Sequence, residues 1–100
     1  PIMLFVANQS GQVTFYNKAW YDFRGTAEHD ELGSGWINGI HPDDLQHFVY
    51  DTYFPSVKKQ RSYTVEYRLK RHDGAYRWIL EHGKPVYDQE SEYQGIIGSC

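Results

Sequence analysis

The stretch Tyr63-Thr-Val-Glu-Tyr-Arg-Leu-Lys-Arg-His-Asp-Gly-Ala-Tyr-Arg-Trp-Ile-Leu-Glu-His-Gly-Lys-Pro-Val-Tyr87 decides the fold. Tyr63, Val65, Tyr67 and Leu69 alternate with Thr64, Glu66, Arg68 and Lys70. A period of two belongs to a strand with one buried face. Asp73-Gly74 then predicts a turn with positive φ, and a second β-rich run follows. The pair reads as an antiparallel hairpin.

Outward from this hairpin, Met3 to Ala7 is a short apolar run expected to be a buried strand, and Gln12 to Tyr16 pairs with it across the turn Asn8-Gln-Ser-Gly11. Asn17 can cap a short helix over Lys18 to Phe23 that Gly25 terminates. Thr26 is expected to cap a helix of one to two turns ending near Leu32. Trp36 and Ile37 return to the core after Gly33-Ser34-Gly35. His41-Pro42-Asp43-Asp44 reads as a helix start, with Pro at the first position and carboxylates at the positive end of the helix. Leu45, Phe48, Val49 and Tyr53 give that helix one apolar stripe. Pro55 should kink or break it and keep Phe54 out of the right-handed helical region. Strands follow over Tyr63–Arg71, Tyr76–Tyr87 and Tyr93–Cys100, with the acidic loop Asp88 to Glu92 between the last two. The order is β-β, short helices, a longer helix, then β-β-β: an antiparallel α+β domain with helices on one face.

One hundred residues make about one domain, large enough to bury roughly 60–70% of its unfolded surface. The chain is expected to be that one domain, residues 1–100, cut from a longer polypeptide. Net charge is −3 and no basic face forms, so nucleic acid and anionic membrane are poor partners. The densest basic patch, Lys58-Lys59-Gln60-Arg61, reads as the charged end of a helix. The single cysteine, Cys100, excludes an internal disulfide and a cysteine-based zinc site, and points to a reducing, cytoplasmic setting. No apolar run approaches the ~20 residues needed to span a bilayer.

Taken in order, Gly11-Gln-Val-Thr-Phe-Tyr-Asn17, Gly35-Trp36, Ile40-His-Pro-Asp-Asp44, Glu66-Tyr-Arg68, Asp73-Gly-Ala-Tyr-Arg-Trp78, Pro85 and Gly95-Ile-Ile-Gly98 resemble the PAS family in its form with a C-terminal PAC motif. The resemblance spans nearly the whole chain. It implies a five-stranded antiparallel sheet in the order 2-1-5-4-3 with helices on one face. It also implies a sensor and dimerisation role, with the signal passed to an attached output domain such as a histidine kinase or diguanylate cyclase. Two departures stand out: Tyr53-Phe-Pro55 looks one residue longer than the family pattern, and the last hairpin lacks its usual closing glycine.

By the same resemblance a small-molecule pocket would lie between the sheet and the long helix. Its candidate lining is Trp36, Phe48, Val65, Tyr67, Leu69, Ile79, Glu81, Ile96, Gly98 and Cys100. Gly83 and Gly98 on that inner face would leave room for a ligand, whereas the aromatic load favours a core filled by side chains. Glu81 is a possible polar ligand contact, and its plainer reading is an edge carboxylate reaching solvent or an arginine. Trp78, Leu80 and His82 would face outward, on the surface where relatives dimerise or pack a flanking helix. Covalent flavin chemistry is disfavoured because Trp36 stands near the place of the reactive cysteine. Haem is disfavoured because Val49 stands where haem-binding relatives carry the axial ligand, with His47 two residues away. His41, Asp43, Asp44 and His47 could be read as a metal cluster, but helix initiation explains them better, and no metal site is assigned. No nucleophile setting or phosphate loop marks an enzyme. Two functions remain: a ligand-responsive sensor domain, or a ligand-free module for homodimerisation and signal relay.

Overall fold

A computed structural model describes residues 1–100. Five strands, β1 (Leu4–Ala7), β2 (Val13–Tyr16), β3 (Tyr63–Lys70), β4 (Tyr76–Tyr87) and β5 (Tyr93–Ser99), form one antiparallel sheet in the order β2-β1-β5-β4-β3. This is the topology expected. The β3–β4 ladder runs from Tyr63 opposite Gly83 to Lys70 opposite Tyr76. Alternation therefore sends Val65, Tyr67, Leu69, Ile79 and Glu81 to the buried side, and Thr64, Trp78, Leu80 and His82 to the other. At the turn Gly74 has φ +86, and its N–H donates to the Arg71 carbonyl at 2.9 Å.

The helical layer covers the inner face. Helix α1 (Lys18–Arg24) starts at Asn17, whose side chain accepts from the Trp20 N–H, and ends at Gly25 in the left-handed region. Helix α2 (Glu28–Glu31) is a single turn. Its cap differs from expectation: Ala27 holds the N-cap position and the Asp30 carboxylate accepts from the Ala27 N–H at 3.1 Å. The Thr26 hydroxyl is buried with no partner. The acidic residue three places along serves the backbone better than the hydroxyl two residues before the helix.

Two 3₁₀ turns, Gly35–Gly39 and Pro42–Asp44, lead into the long helix. That helix does not break at Pro55. It winds as a π-helix over Leu45–Tyr53 and continues as α3 (Phe54–Lys59), with Phe54 right-handed at φ −65 and ψ −37. The Phe54 N–H reaches back five residues to the Val49 carbonyl. Pro55 is the second residue of α3, directly after the π-wound segment, so the proline marks a change of winding instead of an end. A π turn takes up more residues than an α turn, which accommodates the extra residue noted at Tyr53-Phe-Pro55. Phe48, Val49 and Tyr53 from this helix are at most 1% exposed.

Candidate functional site

The inner face of the sheet carries a buried polar cluster centred on Glu81, which is 3% exposed. Tyr63 Oη donates to Glu81 Oε2 at 2.5 Å and Tyr67 Oη donates to Oε1 at 2.7 Å. The Cys100 thiol, just past the end of β5, donates to Oε1 at 3.4 Å. Neither solvent nor an arginine takes this carboxylate, so the plainer reading of Glu81 is corrected. The reason is register: Val65 stands opposite Glu81, placing the flanking Tyr63 and Tyr67 on the same buried face. Burial pushes the Glu81 carboxyl above the ordinary carboxylate range, and hydrogen bonds from Tyr63, Tyr67 and Cys100 pull it partly back. Burial, and then the carboxylate, hold the Cys100 thiol well above its usual value.

Around this cluster the core is nearly full. A void of about 10 Å³ remains between Glu81, Tyr67, Trp36, Phe48, Tyr53 and their neighbours. The Phe48 and Tyr67 rings stack at 3.9 Å and 5°. Of the candidate lining, Trp36, Phe48, Tyr67 and Glu81 border the void, while Val65, Leu69, Ile79 and Ile96 are buried elsewhere in the core. Cys100, like one side of Ile79, borders an open groove. Gly83 and Gly98 leave no room for a ligand: a Cβ at Gly83 would meet the Tyr63 ring, and one at Gly98 the Phe5 ring. The space a side chain would have taken is filled by aromatic rings from neighbouring strands.

The opposite face is exposed and apolar. Trp78 is 64% and Leu80 49% exposed, and His82 lies beside them. Phe15, Val6 and Ile97 stand side by side across β2, β1 and β5 on the same face. Because β5 meets β4 only from His82 onward, the first half of β4 borders a groove of about 660 Å³. Met3, Ala19, Phe23, Trp78, Leu80 and Cys100 supply much of its wall.

Two ion pairs escaped sequence reasoning. Asp44 accepts from the Arg68 backbone N–H at 2.8 Å and from Nε and Nη2 at 2.9 Å each. The same guanidinium lies 5.0 Å from the Trp78 ring centroid, joining the helix start to the outer face. Arg24 Nε donates to Glu31 at 2.7 Å, and Nη1 donates to the Lys70 carbonyl at 2.6 Å. Trp20 Nε1 donates to the same Glu31 oxygen. Arg24 follows Trp20 by four residues on one helix face, a signal that could have placed it inward; the Asp44–Arg68 pairing spans 24 residues and left none. The two histidines of the acidic and histidine group have backbone partners. His41 Nδ1 accepts from the Asp43 N–H at 3.1 Å, and His47 Nε2 lies 2.9 Å from the Glu66 carbonyl.

The family described as PAS fold matches residues 13–100. An uncharacterized protein, y4lL, of Sinorhizobium fredii is 28% identical over 98% of this chain, which spans 12% of that protein. The peroxide stress-activated histidine kinase mak1 of Schizosaccharomyces pombe is 22% identical over the full chain, which spans 7% of it. The chain therefore covers a small part of each relative's length. Among solved structures, the N-terminal domain of a diguanylate cyclase with PAS/PAC sensor from Marinobacter aquaeolei superposes with a TM-score of 0.82. It is 21% identical, over 99% of this chain and 92% of that one. With the strand order, the helical cover and the family match in agreement, this chain belongs to the PAS fold family.

Proposed function

We propose that this domain is a regulatory signal-transduction module that relays a conformational signal through its outer sheet face to an attached output domain, in a cytoplasmic signalling protein. The observation that carries this reading is the contrast between the two faces. The inner face is packed to a residual void of about 10 Å³, while the outer face exposes Trp78 and Leu80. A contiguous apolar patch on a protein surface usually marks a contact site. A histidine kinase or diguanylate cyclase is the output domain that the similar proteins suggest. The domain itself is regulatory and not an enzyme, and the outer face is read as a homodimer contact or the seat of a flanking helix. Nucleic acid and membrane are not its partners.

A second reading, small-ligand sensing in the core, is favoured by the buried polar cluster at Glu81 beside that void. Haem and covalent flavin remain disfavoured, for Val49 is fully buried in the core and the lone thiol lies against Glu81.

The deciding experiment is sedimentation of the wild type and Trp78→Glu over a range of concentrations. The wild type is expected to dimerise weakly and the variant to stay monomeric and folded. A monomeric wild type at high concentration would remove the homodimer and leave the flanking-helix contact. Native mass spectrometry of freshly purified protein checks the second reading, since a retained ligand or cofactor adds mass.

A further inference from the structure

We propose that Glu81 is a proton-binding site, so that the ligand sensed in the core of this domain is a proton. This deepens the core-sensing reading given above and rests on it for any signalling role, though not for the binding itself. An organic ligand would need more than the void of about 10 Å³, but a proton needs no cavity.

The geometry presents a carboxylate without a cation. From β3 it faces the hydroxyls of Tyr63 and Tyr67, and from the end of β5 the Cys100 thiol. Tyr16 from β2 and Tyr53 from the π-helix border the same void, together with Trp20 and Trp36. All of these are neutral near pH 7. The buried guanidinium of Arg24 is bound to Glu31. An ionised Glu81 therefore relies on hydrogen bonds alone to offset the loss of water, which leaves its proton affinity high. The direction of its shift, upward through burial, agrees.

Uptake has a route and a structural consequence. Cys100 is half-buried and borders the open groove, so a proton from solvent has a short way to the carboxylate. In the ionised state both tyrosines donate to Glu81. Once Oε1 carries the proton, its O–H donates to Tyr67 Oη, and the Tyr67 hydroxyl hydrogen must turn away. Cys100 Sγ lies 3.9 Å from that hydroxyl and can accept it. Tyr67 is stacked on Phe48 of the π-helix, so the reversal falls at the contact between sheet and helical layer. The upward shift means that Glu81 contributes most to stability when protonated. That contribution is full below the unfolded-state value and is lost as pH rises through the folded-state value.

The test is a pH titration of the ¹³C-labelled domain, following side-chain carboxyl carbons by NMR, with Glu81→Gln to identify the resonance. One carboxyl carbon is expected to titrate at higher pH than the surface glutamates and to vanish in Glu81→Gln. In Tyr67→Phe its midpoint should move upward, because a donor to the ionised form is lost. The Cys100 Cβ resonance should follow the same midpoint. Glu81 titrating with the surface glutamates, or staying ionised throughout the folded range, would overturn the proposal. If Glu81→Gln does not fold, through-bond correlations assign the carbon in the wild type and the same outcomes decide. A displaced titration with no effect of Glu81→Gln on a parent protein's output would sink the sensing role while leaving the proton site standing.

Discussion

Asp44 is only 3% exposed, and three donors of a single residue, Arg68, hold it there. Those hydrogen bonds bring its carboxyl down from the ordinary 3.8 to about 2, against a smaller opposing effect of burial. A lowered folded-state value stabilises the fold above the unfolded value and ceases to do so as pH falls from about 4 through about 2. Acid unfolding of Asp44→Ala should accordingly be shallower than wild type over that interval, with about 1–2 kcal/mol lost at neutral pH; equilibrium denaturation at several pH values measures both. Gly74 makes a different local demand. No atom lies within 4 Å of where its Cβ would be, so only its φ of +86 resists a side chain. Gly74→Val should cost about 1 kcal/mol or more, seen as a lower melting temperature. Asp73-Gly74 made that turn legible in the sequence. Nothing near Asp44 announced Arg68, because a pair 24 residues apart is brought together only by the helix start wrapping the sheet edge.

At the scale of elements, the strands were legible because alternation and turn residues are local signals. The helical layer was legible in position but not in winding. A π-helix and an α-helix share most of one apolar stripe, so Leu45, Phe48, Val49 and Tyr53 did not tell them apart. Pro55 signalled an irregularity, yet whether it ended the helix depended on how the preceding turn was wound. The final hairpin also has a local irregularity. In its loop Ser91 adopts φ +63, and its N–H donates to the Asp88 carbonyl at 3.1 Å. A non-glycine residue in that region is strained by about 1 kcal/mol or more. Ser91→Gly should recover part of this and raise the melting temperature by a few degrees, measurable by calorimetry. An unchanged or lowered value would mean that the serine is not strained in this loop.

The whole molecule is a sheet whose two faces do opposite things, and its inner face is closed by rings lying over glycines. Gly98→Ala should therefore overpack against Phe5 and cost about 1–3 kcal/mol, read from the urea midpoint, even though alanine suits a strand better than glycine. Were Gly98 instead facing a ligand space, the substitution would be nearly silent. This is also where sequence reasoning about the site reached its limit. Alternation separated Glu81 from Trp78, and the strand register that the PAS resemblance implies assigned Glu81 and Gly98 to the inner face and Trp78 to the outer one. Neither could say whether the glycines opened a pocket or received a ring, since that depends on where the side chains of β1 and β3 fall across the sheet. The sequence by itself determined the strands, their turns, the faces they present and the family. Only the tertiary structure decided that the core is full, that Glu81 is held by two tyrosines and a thiol, and that Arg68 ties Asp44 to Trp78. Alternation is a property of neighbouring residues, whereas volume and hydrogen-bond partners are set by residues far apart in the chain.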